Sequence, residues 1–308
     1  MPRVADGVIA LPDGYRVRGA TPEDTDLLLE LVRVAEEHLD GVAEIDRHDI
    51  EAGFERVGFD PGTDCVIILD GEVPVGWADL YKERAEADVH PSHRGRGIGT
   101  WLLVWTERRA MDLGSPRVSQ TITDANTAGR ALFLANGYQA RWTAWILQIA
   151  FDHPPPVHVP PEGITIRPFV PSSDAHATHR LIDDAFTEWD ERAPMPFEEW
   201  AALVIRHGSF SPERSRLAFA RDELVGAALS FDYREDDEGW VQQVATKATH
   251  RNRGIARALL SEVFADFYRN GKRRCGLSTE SRTRALGLYE RVGMRVRRSY
   301  TKYVKQLA

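Results

Sequence analysis

The feature that most constrains the fold is a glycine-bearing turn that the chain contains twice. Residues 94–100 read RGRGIGT, and residues 251–257 read RNRGIAR, 157 positions further along. Each turn follows a histidine and precedes a stretch in which apolar residues recur at helical spacing. A second pair of segments, ALFLANGY at 131–138 and GLYERVGM at 287–294, repeats at an interval of 156 residues. These matched intervals predict a duplicated α/β domain of about 145 residues.

The boundary between the two copies is predicted at a proline-rich segment, DHPPPVHVPP, at residues 152–161. Proline removes backbone donors and favours extended chain, so this segment should be a stiff linker. The sequence therefore predicts an N-terminal domain at 1–151 and a C-terminal domain at 162–308. Both copies open with a short alternating stretch that ends in an arginine, Arg18 or Arg167, followed by a turn and a helical pattern.

Composition narrows the class of partner. The formal net charge of −8 disfavours nucleic acid or an anionic membrane as a partner and leaves room for a cationic substrate. The two cysteines, Cys65 and Cys275, lie far apart in apolar runs and are expected to be buried thiols, and no metal site is expected.

The first residues lack a signal-peptide pattern, and no run has the roughly 20 apolar residues of a membrane span. We expect a cytoplasmic protein, as a monomer or a homodimer.

The glycine turn has a physical use as a cradle for phosphate. A helix N-terminus carries unpaired amides and the positive end of the helix dipole, and small residues let an anion approach them. Neighbouring arginines add charge-assisted hydrogen bonds. The pattern fits neither a Walker loop nor a dinucleotide fingerprint; an ordinary glycine turn with exposed arginines is the plain alternative. The residues expected to bind phosphate are Arg94, Gly95, Arg96, Gly97, Ile98, Gly99 and Thr100 in the first copy, and Arg251, Asn252, Arg253, Gly254, Ile255, Ala256 and Arg257 in the second.

The segment VHPSHRGRGIGT, followed by a helix and then ALFLANGY, resembles the GNAT superfamily of acyl-CoA N-acyltransferases, and the second half repeats the resemblance. The two-domain layout is similar to that of mycothiol synthase. The resemblance implies two tandem α/β domains, each a mixed central sheet flanked by helices, whose fourth and fifth strands splay apart to hold acetyl-CoA. It also implies that backbone near Val89 or Thr246 pairs with the pantetheine arm and polarises the thioester carbonyl. Asn126 matches an asparagine that the family carries after the fifth strand.

The resemblance also implies the chemistry, which is direct attack of an amine on the thioester, with a general base and a tyrosine acid. The tyrosine position is Tyr289 in the second half, whereas the first half has Phe133, which cannot donate a proton. The second copy departs from the family pattern at Ala248 and Ser281, where proline and asparagine are usual. We therefore expect the C-terminal half to be catalytic and the N-terminal half to bind cofactor or to be structural.

The general base and the acceptor stay open at this stage. Glu280 is the candidate base of the second half, and the fourth strand of the first half offers Glu86 and Asp88. Acidic residues that could attract a cationic amine are Glu188, Asp190 and Glu191, although carboxylates of this kind are also ordinary surface residues. The leading hypothesis is an acetyl-CoA-dependent N-acetyltransferase that acts on a small-molecule primary amine. The alternatives are a non-catalytic acyl-CoA-binding sensor or scaffold, and a protein N-acetyltransferase.

Overall fold

The structure, a computed structural model, describes residues 10–43, 45–188, 193–233 and 237–307. The chain forms two compact units. The first comprises the chain through Thr143 together with the residues from Arg298 onward, and the second comprises Ala144–Arg297. Among the described residues, no helix is both long enough and apolar enough to cross a membrane.

The elements of the first half follow the order that the sequence predicts, a strand and helices, then a run of strands, then the helix after the glycine turn. They are β1 (Tyr15–Gly19), α1 (Thr25–Asp40), α2 (Arg47–Phe54), α3 (Pro61–Asp64), β2 (Cys65–Asp70), β3 (Val73–Tyr81), β4 (Arg84–Val89), α4 (Ile98–Asp112), β5 (Arg117–Thr123), α5 (Thr127–Ala135) and β6 (Gln139–Ala150).

The second half repeats this order. Its elements are β7 (Ile164–Pro168), α6 (Pro171–Phe186), α7 (Phe197–Leu203), β8 (Arg216–Ala220), β9 (Glu223–Asp232), β10 (Glu238–Thr246), α8 (Ile255–Arg269), β11 (Arg274–Glu280), α9 (Leu286–Arg291) and β12 (Arg295–Gln306).

Each unit contains a mixed sheet, as predicted. In the first unit the strand order is β1-β2-β3-β4-β5-β12, and in the second it is β6-β11-β10-β9-β8-β7. The neighbours are antiparallel except for β4 with β5 and β10 with β11, which are parallel. The helix that follows each glycine turn connects the two parallel strands, as a parallel connection requires.

The last strand of each sheet comes from the other half of the sequence. Residues Tyr300–Gln306 of β12 pair with Arg117–Thr123 of β5 in the first unit, and Ala144–Ala150 of β6 pair with Arg274–Glu280 of β11 in the second. The chain's final strand therefore belongs to the unit that carries the chain's first half. The domain bounds 1–151 and 162–308, with a linker at 152–161, stay a prediction.

Both units use the same ion pair to join their first strand to their first helix. Arg18 donates two hydrogen bonds to Asp24, of 2.7 and 2.6 Å, and Arg167 donates two to Asp174, of 2.6 and 2.8 Å. Both aspartates are buried and also accept a backbone amide of the turn. This repeated arrangement is what a duplicated domain should retain.

The helix after each glycine turn packs unusually close to its sheet. A Cβ atom at Gly76 would lie 2.8 Å from Cγ2 of Ile98, and one at Gly226 would lie 2.9 Å from Cγ2 of Ile255. Glycine on β3 and β9 therefore lets the first turn of α4 and α8 contact the strand backbone. This contact fixes where each helix N-terminus stands at the edge of its sheet.

Candidate active site

The two parallel strands of each sheet diverge along their length. Strand β4 pairs with β5 at Arg84 and Ala85, and the pairing does not extend along the rest of β4. In the second unit β10 pairs with β11 over Glu238–Val241, and Thr246 lies beyond the paired stretch. This confirms the expected splay in both units and opens a gap beside the carboxyl end of β4 and of β10.

Backbone groups of β4 face the gap. The amide of His90 donates to the carbonyl of Val75 at 2.9 Å, so this pair is hydrogen-bonded. Hydrogen-bonded pairs alternate in an antiparallel ladder, so the amides of Ala87 and Val89 turn away from β3 and toward β5. In the second unit the amide of Lys247 bonds Val225 in the same way and leaves Thr246 facing its gap. Binding of pantetheine by Val89 or Thr246 stays a prediction.

The first glycine turn presents free amides to open space. Gly95 and Gly97 adopt φ angles of +75° and +91°, which glycine reaches without strain. The first helical hydrogen bond runs from Trp101 to the carbonyl of Gly97, so the amides of Ile98, Gly99 and Thr100 have no partner within α4. No atom lies within 4 Å of the position that a Cβ would take at Gly95. The turn therefore has both the donors and the room that a pyrophosphate needs.

The side chains of the first turn contribute in different ways. Ile98 is buried, so it can meet a ligand only through its backbone. Arg94 donates from Nε to the carbonyl of Val89 at 3.4 Å, and burial lowers its pKa, although the guanidinium remains charged at neutral pH. Arg96 donates to the hydroxyl of Tyr15 at 3.3 Å and keeps an exposed guanidinium. Arg96 is thus the arginine best placed to add charge to a bound phosphate.

The second turn has the same backbone form but different electrostatics. Asn252 takes the left-handed conformation of Gly95, with φ +62°, and Gly254 has φ +88°. Asparagine tolerates this region better than most residues. Arg251 donates to both carboxylate oxygens of Glu188, at 2.5 and 3.1 Å, so this guanidinium already has an anionic partner. Of the other predicted phosphate ligands, Ile255 is buried, whereas Arg253 precedes α8 and Ala256 and Arg257 lie in its first turn.

Glu188 was suggested from the sequence as a residue that could attract a cationic amine, whereas in the structure it forms an ion pair with Arg251. Its carboxylate lies against the second glycine turn and binds Arg251 there. The other two residues proposed to attract an amine, Asp190 and Glu191, lie outside the described residues.

A cavity of about 460 Å³ occupies the first unit where β4 and β5 diverge. It lies between the sheet and helices α1 and α2, and Asn126 and Tyr300 line it at the end of β5. The carboxylate residues in its lining are Glu36, Asp40, Asp49, Asp79, Glu86 and Asp88, and the cationic ones are Arg56 and Arg84. The excess of carboxylates gives the cavity a negative field that favours a cationic ligand.

Asp88 lies at the end of β4, next to Val89, and lines the cavity. The indole Nε1 of Trp77 donates to its Oδ2 at 3.1 Å. The pKa of Asp88 is raised to about 6, chiefly by burial and also by the charges of Glu36 and Glu86, against the opposing Trp77 hydrogen bond and the charge of Arg94. A carboxylate with a pKa near neutrality, beside the splay, is suited to accept a proton from an attacking amine.

Asp79 and Glu86 face each other across β3 and β4. Asp79 is only 5% exposed, and Arg56 donates to its Oδ2 at 2.9 Å. Burial, followed by the charge of Glu86, raises the pKa of Asp79 to about 7 in spite of Arg56. Glu86 is less buried, and its Oε1 lies 2.5 Å from Nη2 of the exposed Arg84. Asp79 and Asp88 therefore both titrate close to neutral pH within one cavity.

The second unit lacks this acidic set at the equivalent positions. In the first unit β3 and β4 pair Asp79 with Glu86 and Trp77 with Asp88; in the second, β9 and β10 pair Leu229 with Gln243 and Ala227 with Ala245. Gln243 accepts a hydrogen bond of 2.9 Å from Nε1 of Trp200, which is almost fully buried. The space that carries carboxylates in the first unit thus carries neutral side chains here.

The proposed acid of the second half, Tyr289, lies in the core of its unit. It is 7% exposed, packs with Leu259 and Met294 among others, and has its pKa raised to about 12 by burial. Its first-half counterpart, Phe133, is buried against Tyr138 and Tyr303, with ring centroids 5.0 and 5.2 Å away. A catalytic role for Tyr289 stays a prediction.

The remaining predicted residues are both engaged by neighbours. Glu280 accepts two hydrogen bonds from Arg282, of 2.7 and 2.8 Å, so both of its carboxylate oxygens are engaged by the guanidinium, and its role as the base stays a prediction. Asn126 accepts a hydrogen bond of 2.9 Å from the amide of Gly129 and so caps α5. It also lines the cavity, so of the two it is the one that the fold brings to the splay.

The sequence analysis did not single out Asp79 or Tyr300, two of the residues that line the cavity. A signal for Asp79 existed, since it is a lone acid in the apolar strand VPVGWADLY, and such residues are rarely buried without a function. No local signal pointed to Tyr300, because its place in the cavity depends on the pairing of β12 with β5.

A mixed sheet with two splayed parallel strands, a glycine turn at a helix N-terminus and an acidic cavity at the splay define an acyl-CoA-dependent acyltransferase. The model of the Acetyltransferase (GNAT) family matches residues 28–138 and 175–294. The chain therefore belongs to the GNAT acetyltransferases and carries two tandem domains of that family. It is an acyltransferase that uses acetyl-CoA as its acetyl donor.

Comparison with known proteins places the chain among two-domain members. It is 31% identical to the mycothiol acetyltransferase of Kytococcus sedentarius over 77% of this chain and 78% of that protein. It is 26% identical to the mycothiol acetyltransferase of Thermobispora bispora over 89% and 93%. A GCN5-related N-acetyltransferase from Sphaerobacter thermophilus is 32% identical, with a TM-score of 0.79 over 96% and 97% of the two chains. A tandem GNAT protein of the clavulanic acid pathway shares the fold, with a TM-score of 0.67 at 16% identity.

Proposed function

We propose that the first unit, called the N-terminal unit from here on, transfers the acetyl group to a primary amine of a small cationic molecule, by direct attack in a ternary complex. The observation that carries this proposal is the set of carboxylates Asp79, Glu86 and Asp88 around the cavity at the splay of β4 and β5. Leu229, Gln243 and Ala245 stand at the corresponding pairs of the second unit, so this set belongs to the first unit.

The acidic lining, Asp88 and the backbone amides of the cavity each have a separate role in the proposed reaction. A primary amine is an ammonium ion at neutral pH, and the acidic lining attracts it. Asp88 accepts the proton that the nitrogen must lose before it attacks, because its raised pKa lets it take up and release a proton near pH 6. The backbone amides of Ala87 and Val89, which face the gap, are placed to polarise the thioester carbonyl.

The turn of the C-terminal unit supports a lesser role in donor binding. Arg251 is occupied by Glu188, and Glu280 is occupied by Arg282. We propose that this unit is structural or binds acetyl-CoA without turning it over. Catalysis by Tyr289 is the competing prediction, and it is tested by the same experiment.

The experiment compares wild type with Gly97→Glu and Gly254→Glu. The two glycines have nearly the same φ, +91° and +88°, so the two substitutions impose similar backbone strain. A Cβ would lie 3.3 Å from Pro12 Cγ at Gly97 and 3.9 Å from Pro161 Cγ at Gly254, so thermal unfolding of both variants is measured beside binding. Each places a carboxylate where a phosphate is expected. Binding of acetyl-CoA is followed by calorimetry, and transfer by release of free thiol, with a panel of diamines, amino sugars, amino acid amides and the amine precursor of mycothiol.

Under this proposal Gly97→Glu abolishes transfer and Gly254→Glu keeps it. The reverse result would place catalysis in the C-terminal unit and refute the assignment. Binding of acetyl-CoA without transfer to any amine would favour the sensor or scaffold. Transfer to peptide amines alone would favour a protein acetyltransferase.

A further inference from the structure

A tyrosine from the end of the chain reaches the cavity of the N-terminal unit. Tyr300 lies on β12 and pairs with Thr123, the last residue of β5. Among the described residues that line the cavity, Tyr300 is the single tyrosine. Tyr303 lies three residues further along β12, so its side chain is on the opposite face of the sheet, where it packs with Phe133 in the core. Tyr300 therefore stands on the acceptor side, beside the splay.

The proposed reaction needs a proton donor at this place. When the amine attacks, the bond from the carbonyl carbon to sulfur breaks and leaves a thiolate, which must be protonated. In the first unit the family's tyrosine position is Phe133, which has no hydroxyl and is 4% exposed within an aromatic cluster. The usual donor is thus missing from the unit that has the carboxylates.

The surroundings of Tyr300 make its hydroxyl a suitable donor. Nη1 of Arg298 donates a hydrogen bond of 3.4 Å to the Tyr300 oxygen. A guanidinium in this place can remain bound to the phenolate oxygen after the proton has left, as a charge-assisted hydrogen bond. Tyr289, by contrast, has its pKa raised by burial alone.

We propose that Tyr300 is the general acid of the N-terminal site, a role that rests on the proposed function. Asp88 first takes the proton that makes the acceptor an ammonium ion and releases it to solvent. The neutral amine nitrogen then bonds to the thioester carbon and gives a second proton to Asp88, and the sulfur departs with the proton of the Tyr300 hydroxyl. Proton transfer through solvent from Asp88 to the phenolate restores both groups, so that each turnover releases one net proton. The C-terminal strand of the chain in this way completes the active site of the N-terminal unit.

The test compares three conservative variants, Tyr300→Phe, Tyr303→Phe and Tyr289→Phe, in the full-length protein. Steady-state kinetics with acetyl-CoA and an amine that wild type acetylates give kcat and KM separately. Tyr300→Phe should lower kcat about 100-fold, the lower range for a general acid, with the KM for acetyl-CoA unchanged. It should also remove the alkaline limb of the pH profile of kcat. Tyr303→Phe is the matched control from the same strand and should retain wild-type kcat and pH profile.

Each other outcome has a distinct meaning. A kcat for Tyr300→Phe within threefold of wild type, with calorimetry showing unaltered acetyl-CoA binding, overturns the acid role and leaves the proposed function standing. Loss of activity in Tyr289→Phe, with Tyr300→Phe active, overturns both and moves catalysis to the C-terminal unit. A wild type that acetylates no amine of the panel also overturns both. Equal losses in Tyr300→Phe and Tyr303→Phe, with KM changed, show a packing effect and overturn the acid role.

Discussion

Replacing Asp88 with asparagine is the sharpest test of the proposed base. With a pKa of about 6, Asp88 is about one-tenth ionised at pH 5 and about nine-tenths at pH 7. The acceptor stays an ammonium ion across this range, so kcat/KM of wild type should rise about tenfold between the two pH values. A base with the ordinary aspartate pKa of 3.8 would change kcat/KM by less than about a tenth over the same interval. The rise of kcat/KM between pH 5 and pH 7 is the acid limb of the pH profile. Asp88→Asn should lower kcat by about 10²–10³-fold and abolish this acid limb.

The assay is release of free thiol from acetyl-CoA, recorded at constant ionic strength from pH 5 to pH 8. Two variants from the same cavity serve as controls. Asp40→Asn removes a carboxylate that accepts a hydrogen bond of 2.9 Å from Thr123, and it should change KM while keeping the limb. Asp79→Asn removes the other group that titrates near neutrality, and it should also keep the limb. A flat profile in wild type, or an acid limb that persists in Asp88→Asn, would contradict the role of Asp88 as the base.

Three further results are expected. Gly76→Val should lower the free energy of unfolding of the first unit by about 1–3 kcal/mol in urea titrations, because its Cβ would lie 2.8 Å from Ile98 Cγ2. Asp79, whose pKa of about 7 in the fold exceeds its ordinary 3.8, favours the folded state when protonated and loses that contribution as pH rises toward 7. Asp79→Asn should therefore remove a few kcal/mol of the stability loss between pH 5 and pH 8; equal losses in both proteins contradict this. Glu188→Gln should release Arg251 and strengthen acetyl-CoA binding to a Gly97→Glu background by calorimetry, and an unchanged affinity shows that the pair does not limit binding.

The local features of the glycine turns followed from sequence because they depend on residues close together in the chain. Gly97 and Gly254 lie directly before α4 and α8, as the position of each glycine before an apolar helical pattern predicted. The expected burial of Cys65 and Cys275 is confirmed for the same reason, since each lies within a short apolar strand. The splay of the parallel strands followed from the family resemblance and is present in both units.

The grouping of the cavity carboxylates did not follow from sequence. The family positions favoured the second half, because that half has Tyr289 where the first half has Phe133, and the choice of catalytic half stays a prediction. The structure brings Asp79, Glu86 and Asp88 together, and the raised pKa values of Asp79 and Asp88 arise from burial and from the charge of neighbouring carboxylates, which no single segment reveals.

The sequence by itself determined that one α/β domain occurs twice, where each helix after a glycine turn begins, and which family the chain resembles. These depend on spacing and on backbone conformations set within a few residues. The tertiary structure alone decided that the last strand of the chain joins the sheet of the first unit and sets Tyr300 beside its cavity. Strand pairing joins residues without regard to their separation along the chain, and burial then sets the charge state of the carboxylates that it gathers.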